Sequence, residues 1–146
     1  MAAVNITTAS GDTNNITMGD RVVFRTSGGD IYAVIYNSSD GAISVWKSGD
    51  AGATWAEKDA GNRPATDVKS CAGAMDSGGD IHILYGWLAS GNPDHYEYKY
   101  VIFDTGTDTY GTPEVAHDFD TDANSYWYGG IAVSYTHLTL PTTPYV

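Results

Sequence analysis

Basic residues, cysteine and long apolar segments are scarce in this sequence. Seven lysines and arginines are outnumbered by 18 aspartates and glutamates, which gives a net charge of −11. Such a charge argues against nucleic acid or an anionic membrane as a partner. The single cysteine, Cys71, excludes an internal disulfide bond. No segment approaches the roughly 20 apolar residues of a membrane-spanning helix, and residues 1–10 lack the basic start and apolar core of a secretory signal peptide.

Apolar and aromatic residues occur in short stretches that turn residues separate. The chain contains 11 tyrosines, 4 tryptophans and 17 glycines, a composition typical of short strands joined by tight turns. No competing helical periodicity is evident. The sequence therefore predicts an all-β fold.

One five-residue segment occurs twice at a fixed distance. Residues 27–31 have the sequence Ser-Gly-Gly-Asp-Ile, and residues 77–81 repeat it 50 positions later. A period of about 40–50 residues is typical of a four-stranded blade that repeats around a propeller. The alternative is a chance recurrence of a common Gly-Gly-Asp turn.

The segment Ser48–Trp55 has the most specific pattern, Ser-Gly-Asp-Ala-Gly-Ala-Thr-Trp. Asp50 can accept hydrogen bonds from turn amides, and Gly52 permits a positive φ angle. Thr54 suits the start of a strand, and Trp55 provides a large apolar anchor. These residues predict a tight hairpin turn with a buried tryptophan beneath it.

This octapeptide resembles the Asp-box, or bacterial neuraminidase repeat, whose pattern is Ser/Thr-x-Asp-x-Gly-x-Thr-Trp/Phe. Every defined position matches, namely Ser48, Asp50, Gly52, Thr54 and Trp55. In that family the box joins the third and fourth strands of a propeller blade and lies at the periphery, away from the ligand face. The resemblance therefore implies a propeller of the Asp-box, sialidase-like superfamily and says little about its ligand.

The pattern of strands and turns divides the chain into two four-stranded antiparallel blades and the first strand of a third. We expect a strand-poor lead-in over residues 1–18, blade one with the Asp-box over 19–66, blade two over 67–124 and the opening strand of a third blade over 125–132. Sialidase-like propellers have six blades, so the resemblance implies a partial propeller. The segment Asp104–Gly111 occupies the place of a second Asp-box but departs from its pattern. It is either a degenerate box or an ordinary turn.

Residues 133–146 differ in character from the rest of the chain. From Val133 to Thr142 they read Val-Ser-Tyr-Thr-His-Leu-Thr-Leu-Pro-Thr, which resembles a translation of the transposase adapter used in DNA sequencing libraries. We therefore expect a non-native tail that begins after Ala132, and we exclude it from functional inference. The alternative is a natural β-strand tail.

The resemblance raises the question of sialidase catalysis. That family holds its substrate carboxylate with three arginines and uses an aspartate acid/base and a tyrosine activated by a glutamate. Its Phe/Tyr-Arg-Ile-Pro motif is matched only at Phe24 and Arg25, and Arg25 is expected at the end of its strand rather than at the start. Arg21 and Arg63 lie in no recognisable motif. We assign no catalytic residue to this chain.

Residues 118–124 alternate oxygen-donor side chains. Asp118, Asp120 and Asp122 have a spacing that suits calcium, although the segment lacks the glycine and glutamate of an EF-hand. The alternative is a plain polar loop, and no other cofactor is expected. His82, His95 and His117 have no metal-ligand spacing.

Several aromatic residues are expected at strand ends or near loops, where flat rings can stack on sugars. The alternative is that tyrosines at period two pack between blades. The glycan-contact candidates are Trp87, Tyr96, Tyr126, Trp127 and Tyr128.

Two functions follow as hypotheses. The first is a binding or structural module that recognises glycans. The second is the N-terminal piece of an exo-acting glycoside hydrolase of the sialidase type, whose catalytic residues lie outside this chain. A purely structural spacer is a further alternative. The expected partners are glycans, the remaining propeller blades or second copies of the chain at open blade faces. An extracellular or virion-surface location is favoured over a cytoplasmic one.

Overall fold

The computed structural model describes residues 17–18, 22–37, 41–66, 68–88, 96–119 and 131. These residues form ten β-strands and one short 3-10 turn, so the predicted all-β class is confirmed. None of their helical segments is long and apolar enough to cross a membrane. The strands are β1 (Thr17–Met18), β2 (Val23–Arg25), β3 (Ile31–Asn37), β4 (Ala42–Ser48), β5 (Ala56–Lys58), β6 (Val68–Met75), β7 (Ile81–Leu88), β8 (Tyr96–Asp104), β9 (Thr109–Tyr110) and β10 (Glu114–Phe119), and the 3-10 turn is Ala60–Asn62.

The first sheet is a four-stranded antiparallel meander with the order β2-β3-β4-β5. Its strands are rich in β-branched and aromatic residues, which fit a pleated surface. Successive side chains point to opposite faces of a strand, and one face of this sheet is buried and apolar. That face consists of Phe24, Tyr32, Val34, Ile43 and Val45.

The second sheet has the order β1-β6-β7-β8-β10, and β9 also pairs with β8. The pairs among β6, β7, β8, β9 and β10 are antiparallel, whereas β1 runs parallel to β6. The sequence predicts no strand in the lead-in over residues 1–18, because a two-residue strand is too short to show an alternation of apolar and polar residues. The pairing of β1 connects the segment before the first sheet to the second sheet.

The two sheets pack face to face around one apolar cluster. Tyr32 of the first sheet meets Phe103 of the second at a centroid distance of 6.1 Å, and Phe103 contacts Tyr110 at 5.0 Å. Both contacts are edge-to-face, a favoured aromatic geometry. The second sheet contributes Val68, Cys71, Ile81, Ile83, Tyr85, Val101 and Phe103 to the buried cluster.

Backbone groups also join the two sheets. The Val68 amide donates to the Gly41 carbonyl at 3.0 Å, and the Tyr110 amide donates to Asp59 Oδ2 at 2.9 Å. These hydrogen bonds satisfy polar groups beside the apolar cluster, where an unpaired group would be costly. The sheets therefore form a single packed unit over the described residues.

The repeated Ser-Gly-Gly-Asp-Ile segment forms the same turn in both sheets. Gly29 lies between β2 and β3 with φ 99°, and Gly79 lies between β6 and β7 with φ 97°. The Thr26 amide donates to the Asp30 carbonyl at 3.0 Å, and the Asp76 amide donates to the Asp80 carbonyl at the same distance. The repeat therefore reflects local backbone geometry, since glycine adopts a positive φ without steric cost.

Gly86→Ala is expected to destabilise the protein by about 1–3 kcal/mol, because it overfills a packed site. A Cβ atom at Gly86 would lie 2.7 Å from Ser70 Oγ and 3.5 Å from Tyr98 Cε1. Urea unfolding of both proteins would measure the difference. Gly61→Ala is a matched control, because nothing lies within 4 Å of its added Cβ. Equal stability of Gly86→Ala and the parent would contradict the close approach of Ser70 to this glycine.

Candidate functional site

The Asp-box segment forms the turn between β4 and β5, the third and fourth strands of the first sheet. Asp50 Oδ1 accepts from the Thr54 amide at 2.8 Å and from Ser48 Oγ at 2.8 Å. Asp50 Oδ2 accepts from Thr54 Oγ1 at 2.6 Å. The Gly52 amide donates to Ser48 Oγ at 2.8 Å. Side-chain and amide hydrogen bonds thus join Ser48, Asp50, Gly52 and Thr54 inside the turn.

These hydrogen bonds also set the charge state of the turn. The hydroxyl and amide of Thr54, together with the Ser48 hydroxyl, lower the pKa of Asp50 to about 2, because they stabilise the carboxylate form. Gly52 has φ 92°, the left-handed conformation that the sequence predicted at this position. All of these contacts are internal, so the box acts as a structural turn.

Trp55 differs from its predicted place as a buried anchor. Its side chain is half-buried, and its indole Nε1 donates to the Gly52 carbonyl at 3.2 Å. A Cβ atom added to Gly52 would lie 3.9 Å from Trp55 Cζ2. The predicted anchor is therefore only partly buried, because the ring packs against its own turn and keeps one part in solvent.

Ser48→Ala is expected to lower the free energy of unfolding by about 1–3 kcal/mol, since it leaves a turn amide without its acceptor. Ser48 is almost fully buried, and its hydroxyl bonds both Gly52 and Asp50. Thermal or urea unfolding would measure the loss. Ser27→Ala is the control, because Ser27 is exposed in the turn after β2. A loss no larger than that of the control would contradict the role of Ser48 in the box.

The corresponding turn of the second sheet, Asp104–Gly111, has a different construction. Asp104 Oδ1 accepts from the amides of Gly106 at 2.7 Å and Thr107 at 3.0 Å. Asp108, with φ 57°, directs its carboxylate to the first sheet. This segment is therefore a turn that Asp104 stabilises, and its second aspartate makes contacts outside the turn.

Asp108 forms a cluster with Tyr32, Lys47 and Lys58 of the first sheet, which we call the Asp108 cluster. Tyr32 Oη donates to Asp108 Oδ1 at 2.7 Å, and the lysine Nζ atoms lie 3.2 Å and 3.3 Å from Asp108 Oδ2. Lys47 Nζ also lies 3.1 Å from Asp30 Oδ2. The sequence carried no signal for this cluster, because its members are up to 76 residues apart.

Opposing effects set the ionisation of the Asp108 cluster. Burial acts to raise the pKa of Asp108, but the hydrogen bonds from Tyr32 and the lysines outweigh it and lower that pKa. Burial raises the pKa of Tyr32 to about 12. The hydrogen bond with Tyr32 is the main cause that raises the pKa of Lys47. At neutral pH the Asp108 carboxylate therefore faces the ammonium group of Lys47 and the neutral phenol of Tyr32.

A second polar group lies on the face of the second sheet that points away from the core. We call Asp76, His82 and Tyr100 the platform. His82 Nε2 lies 3.2 Å from Asp76 Oδ2, and His82 Nδ1 is hydrogen bonded to Tyr100 Oη. Since a carboxylate only accepts, neutral His82 carries its proton on Nε2 and accepts from the phenol at Nδ1. The register of β7 and β8 places His82 and Tyr100 diagonally across the strands.

Tyr100, His82 and Asp76 contact one another in the same order as the nucleophile, base and orienting acid of a catalytic triad. However, burial raises the pKa of Tyr100, and the negative charges of Glu114 and Asp76 add to that rise. Burial also acts to raise the pKa of Asp76, but the hydrogen bonds from His82 and backbone amides outweigh it and lower that pKa. Tyr100 is thus a neutral phenol beside a carboxylate. This arrangement suits binding better than nucleophilic attack.

Of the predicted glycan-contact residues, the structure describes the side chain of Trp87 alone, so their grouping into a site stays a prediction. Trp87 is half-buried against the apolar cluster, and Lys99 Nζ lies 3.7 Å from its ring centroid. Tyr96 belongs to β8, but its side chain lies outside the described structure. Tyr126, Trp127 and Tyr128 lie outside the described residues altogether. The period-two tyrosines Tyr98 and Tyr100 do share one face, as the register of β8 requires.

The predicted calcium ligands are only partly described. Asp118 is an exposed residue of β10, whereas Asp120 and Asp122 lie outside the described residues. Within residues 17–18, 22–37, 41–66, 68–88, 96–119 and 131, no group of three or more potential ligands is arranged for a metal ion. Calcium therefore remains a prediction from sequence alone.

The described arginines do not converge. Arg25 is exposed at the end of β2, where the sequence predicted it. Arg63 forms an ion pair with Glu57 at 2.6 Å, and Arg21 lies outside the described residues. A site that holds a carboxylate with several arginines is absent from the described part of the chain.

Comparison with known proteins gives little guidance. No protein-family model and no curated protein matches the sequence. The fold is similar to part of a solved structure, a protein of unknown function from Dyadobacter fermentans DSM 18053, with 17% identity and a TM-score of 0.44. The match covers 64% of this chain and 26% of that chain, so this chain spans about a quarter of that protein's length.

Proposed function

We propose that this chain is part of an Asp-box propeller of the sialidase-like superfamily and acts as a glycan-binding or structural module. The observation that carries this proposal is the turn Ser48–Trp55. It combines the five pattern residues with a hydrogen-bond network centred on Asp50. It also lies between the third and fourth strands of a four-stranded antiparallel sheet, the position of the box in that family.

The arrangement of the sheets supports the propeller part of the proposal. The first sheet and strands β6 to β10 have the same meander order, pack face to face and contain the repeated turn at the same place. Exposed apolar residues such as Val23 and Val115 offer contacts for further blades or second copies of the chain. An extracellular or virion-surface location fits a glycan-binding role and is part of the proposal.

Binding without turnover is favoured by the described charges. Arg63 is paired with Glu57, and Arg25 is exposed at a strand end. Tyr100 is held neutral beside Asp76 and Glu114. The rival proposal, a piece of an exo-acting hydrolase, is favoured by one observation, the hydrogen-bonded order Tyr100, His82 and Asp76.

A glycan array and a fluorogenic sialoside assay on the same preparation would test the proposal. We expect binding to at least one glycan and no release of fluorophore above the blank without protein. Turnover by this chain would overturn the non-catalytic function. If turnover is seen, the variant Tyr100→Phe would locate it. Loss of fluorophore release in Tyr100→Phe would show that the platform carries out the reaction. Absence of both binding and turnover would favour a purely structural spacer.

A further inference from the structure

We propose that the platform formed by Asp76, His82 and Tyr100 binds neutral hexose glycans and discriminates against sialylated or sulfated ones. This inference rests on the proposed glycan-binding function and names its site and ligand class. The resemblance alone would point to sialic acid, which is an anion. The local chemistry of the platform points the other way.

The platform has a shape that suits a sugar ring. The rings of His82 and Tyr100 have centroids 5.8 Å apart and planes inclined by only 28°. Nδ1 of His82 meets the hydroxyl of Tyr100, and the two nearly parallel rings are neighbours on one face of β7 and β8. Ile102, the cross-strand neighbour of His82, is 38% exposed and adds apolar surface beside it. A pyranose ring has an apolar C–H face that suits such a surface.

Carboxylates at the platform can accept hydrogen bonds from a ligand. The Asp76 side chain is 30% exposed, and Glu114, the cross-strand partner of Tyr100, is exposed. Ionised carboxylates are acceptors with about four lone-pair sites each. Asp76 binds three backbone amides and His82, so the acceptor capacity for sugar hydroxyls lies mainly on Glu114. A neutral sugar supplies several hydroxyl donors.

The charge at the platform is negative. Asp76 belongs to the platform, Glu114 lies beside it, and both act electrostatically on Tyr100. A sialic acid carboxylate or a sulfate would bring a further negative charge to these two, which opposes binding. The net charge of −11 adds a long-range repulsion of anions. Neutral hexoses avoid both costs.

An array of matched glycan pairs, each with and without terminal sialic acid, would test the inference on the full chain. We expect the neutral member of a bound pair to bind about tenfold or more tightly than its sialylated form. We also expect Tyr100→Ala to weaken that binding by about tenfold. Gly61→Ala is the control, because Gly61 lies in the 3-10 turn after the first sheet and nothing lies within 4 Å of its added Cβ; its binding should equal that of the parent.

Each other outcome decides between the two proposals. Preference for sialylated members would overturn the inference and leave glycan binding standing. Equal neutral-glycan binding by Tyr100→Ala and the parent would overturn the platform as the site. Binding to no glycan would overturn the proposed glycan function and the inference with it. If Tyr100→Ala does not fold, amide shifts of His82 and Tyr100 on addition of the bound neutral glycan replace the variant, and unchanged shifts would overturn the site.

Discussion

Phe103→Ala is expected to lower the free energy of unfolding by about 3–5 kcal/mol, the usual cost of truncating a buried aromatic ring. Phe103 is fully buried and lies between Tyr32 of the first sheet and Tyr110 of the second. Its loss would remove the central ring from the contact between sheets and leave a cavity there. Urea unfolding monitored by tryptophan fluorescence would measure the change.

The neighbouring residue provides a matched control for this experiment. Ile102 precedes Phe103 in β8, but its side chain lies on the opposite face of the strand and is partly exposed. Ile102→Ala is expected to cost clearly less than Phe103→Ala, since its side chain is 38% exposed and loses less buried volume. Similar losses for the two variants would contradict the placement of the core between the sheets.

Asp108→Asn is expected to lower the free energy of unfolding by about 1.5–3 kcal/mol, the usual contribution of hydrogen bonds to a charged group. The substitution removes the charge that Lys47, Lys58 and Tyr32 share across the two sheets. Asparagine is preferred to alanine here because Asp108 has φ 57°, a conformation that asparagine tolerates. The lysine side chains are partly exposed, so solvent screening keeps the loss below that of a buried ion pair.

The effect of Asp108→Asn should also depend on pH. The cluster lowers the pKa of Asp108 in the folded protein. Its stabilisation is therefore complete above the unfolded pKa, about 3.9, and is lost as the pH falls through the folded pKa. The stability difference between parent and variant should shrink over that acidic range. Thr107→Ala, an exposed change in the same turn, should show no such dependence; a constant difference for Asp108→Asn would contradict the pKa shift.

Local features of the fold could be predicted from the sequence because short segments determine them. The paired Gly-Gly turns need positive φ at Gly29 and Gly79, and only glycine adopts it freely. The box turn depends on five residues between positions 48 and 55, which form hydrogen bonds with one another. The strands of both sheets follow from apolar stretches between such turns.

Contacts between distant segments could not be predicted in the same way. The Asp108 cluster depends on how the second sheet packs on the first, and a turn sequence carries no information about that packing. The pairing of His82 with Tyr100 depends on the register of β7 and β8, which one residue of slip would change. The exposure of Trp55 likewise depends on the neighbours of the turn. The sequence therefore does not predict the candidate site, although it contains His82 and the period-two tyrosines as separate features.

The proposed function depends on residues 48–55 being an Asp-box turn, and an NMR pH titration of the aspartate side-chain carboxyl carbons tests this most directly. The turn stabilises the ionised form of Asp50, so we expect its pKa at about 2, well below the ordinary value of about 3.9. The stability that Asp50 contributes would then be present above pH 4 or so and lost as the pH falls toward its folded pKa. An Asp50 pKa at the ordinary value would contradict the hydrogen-bonded box and remove the main support for an Asp-box propeller.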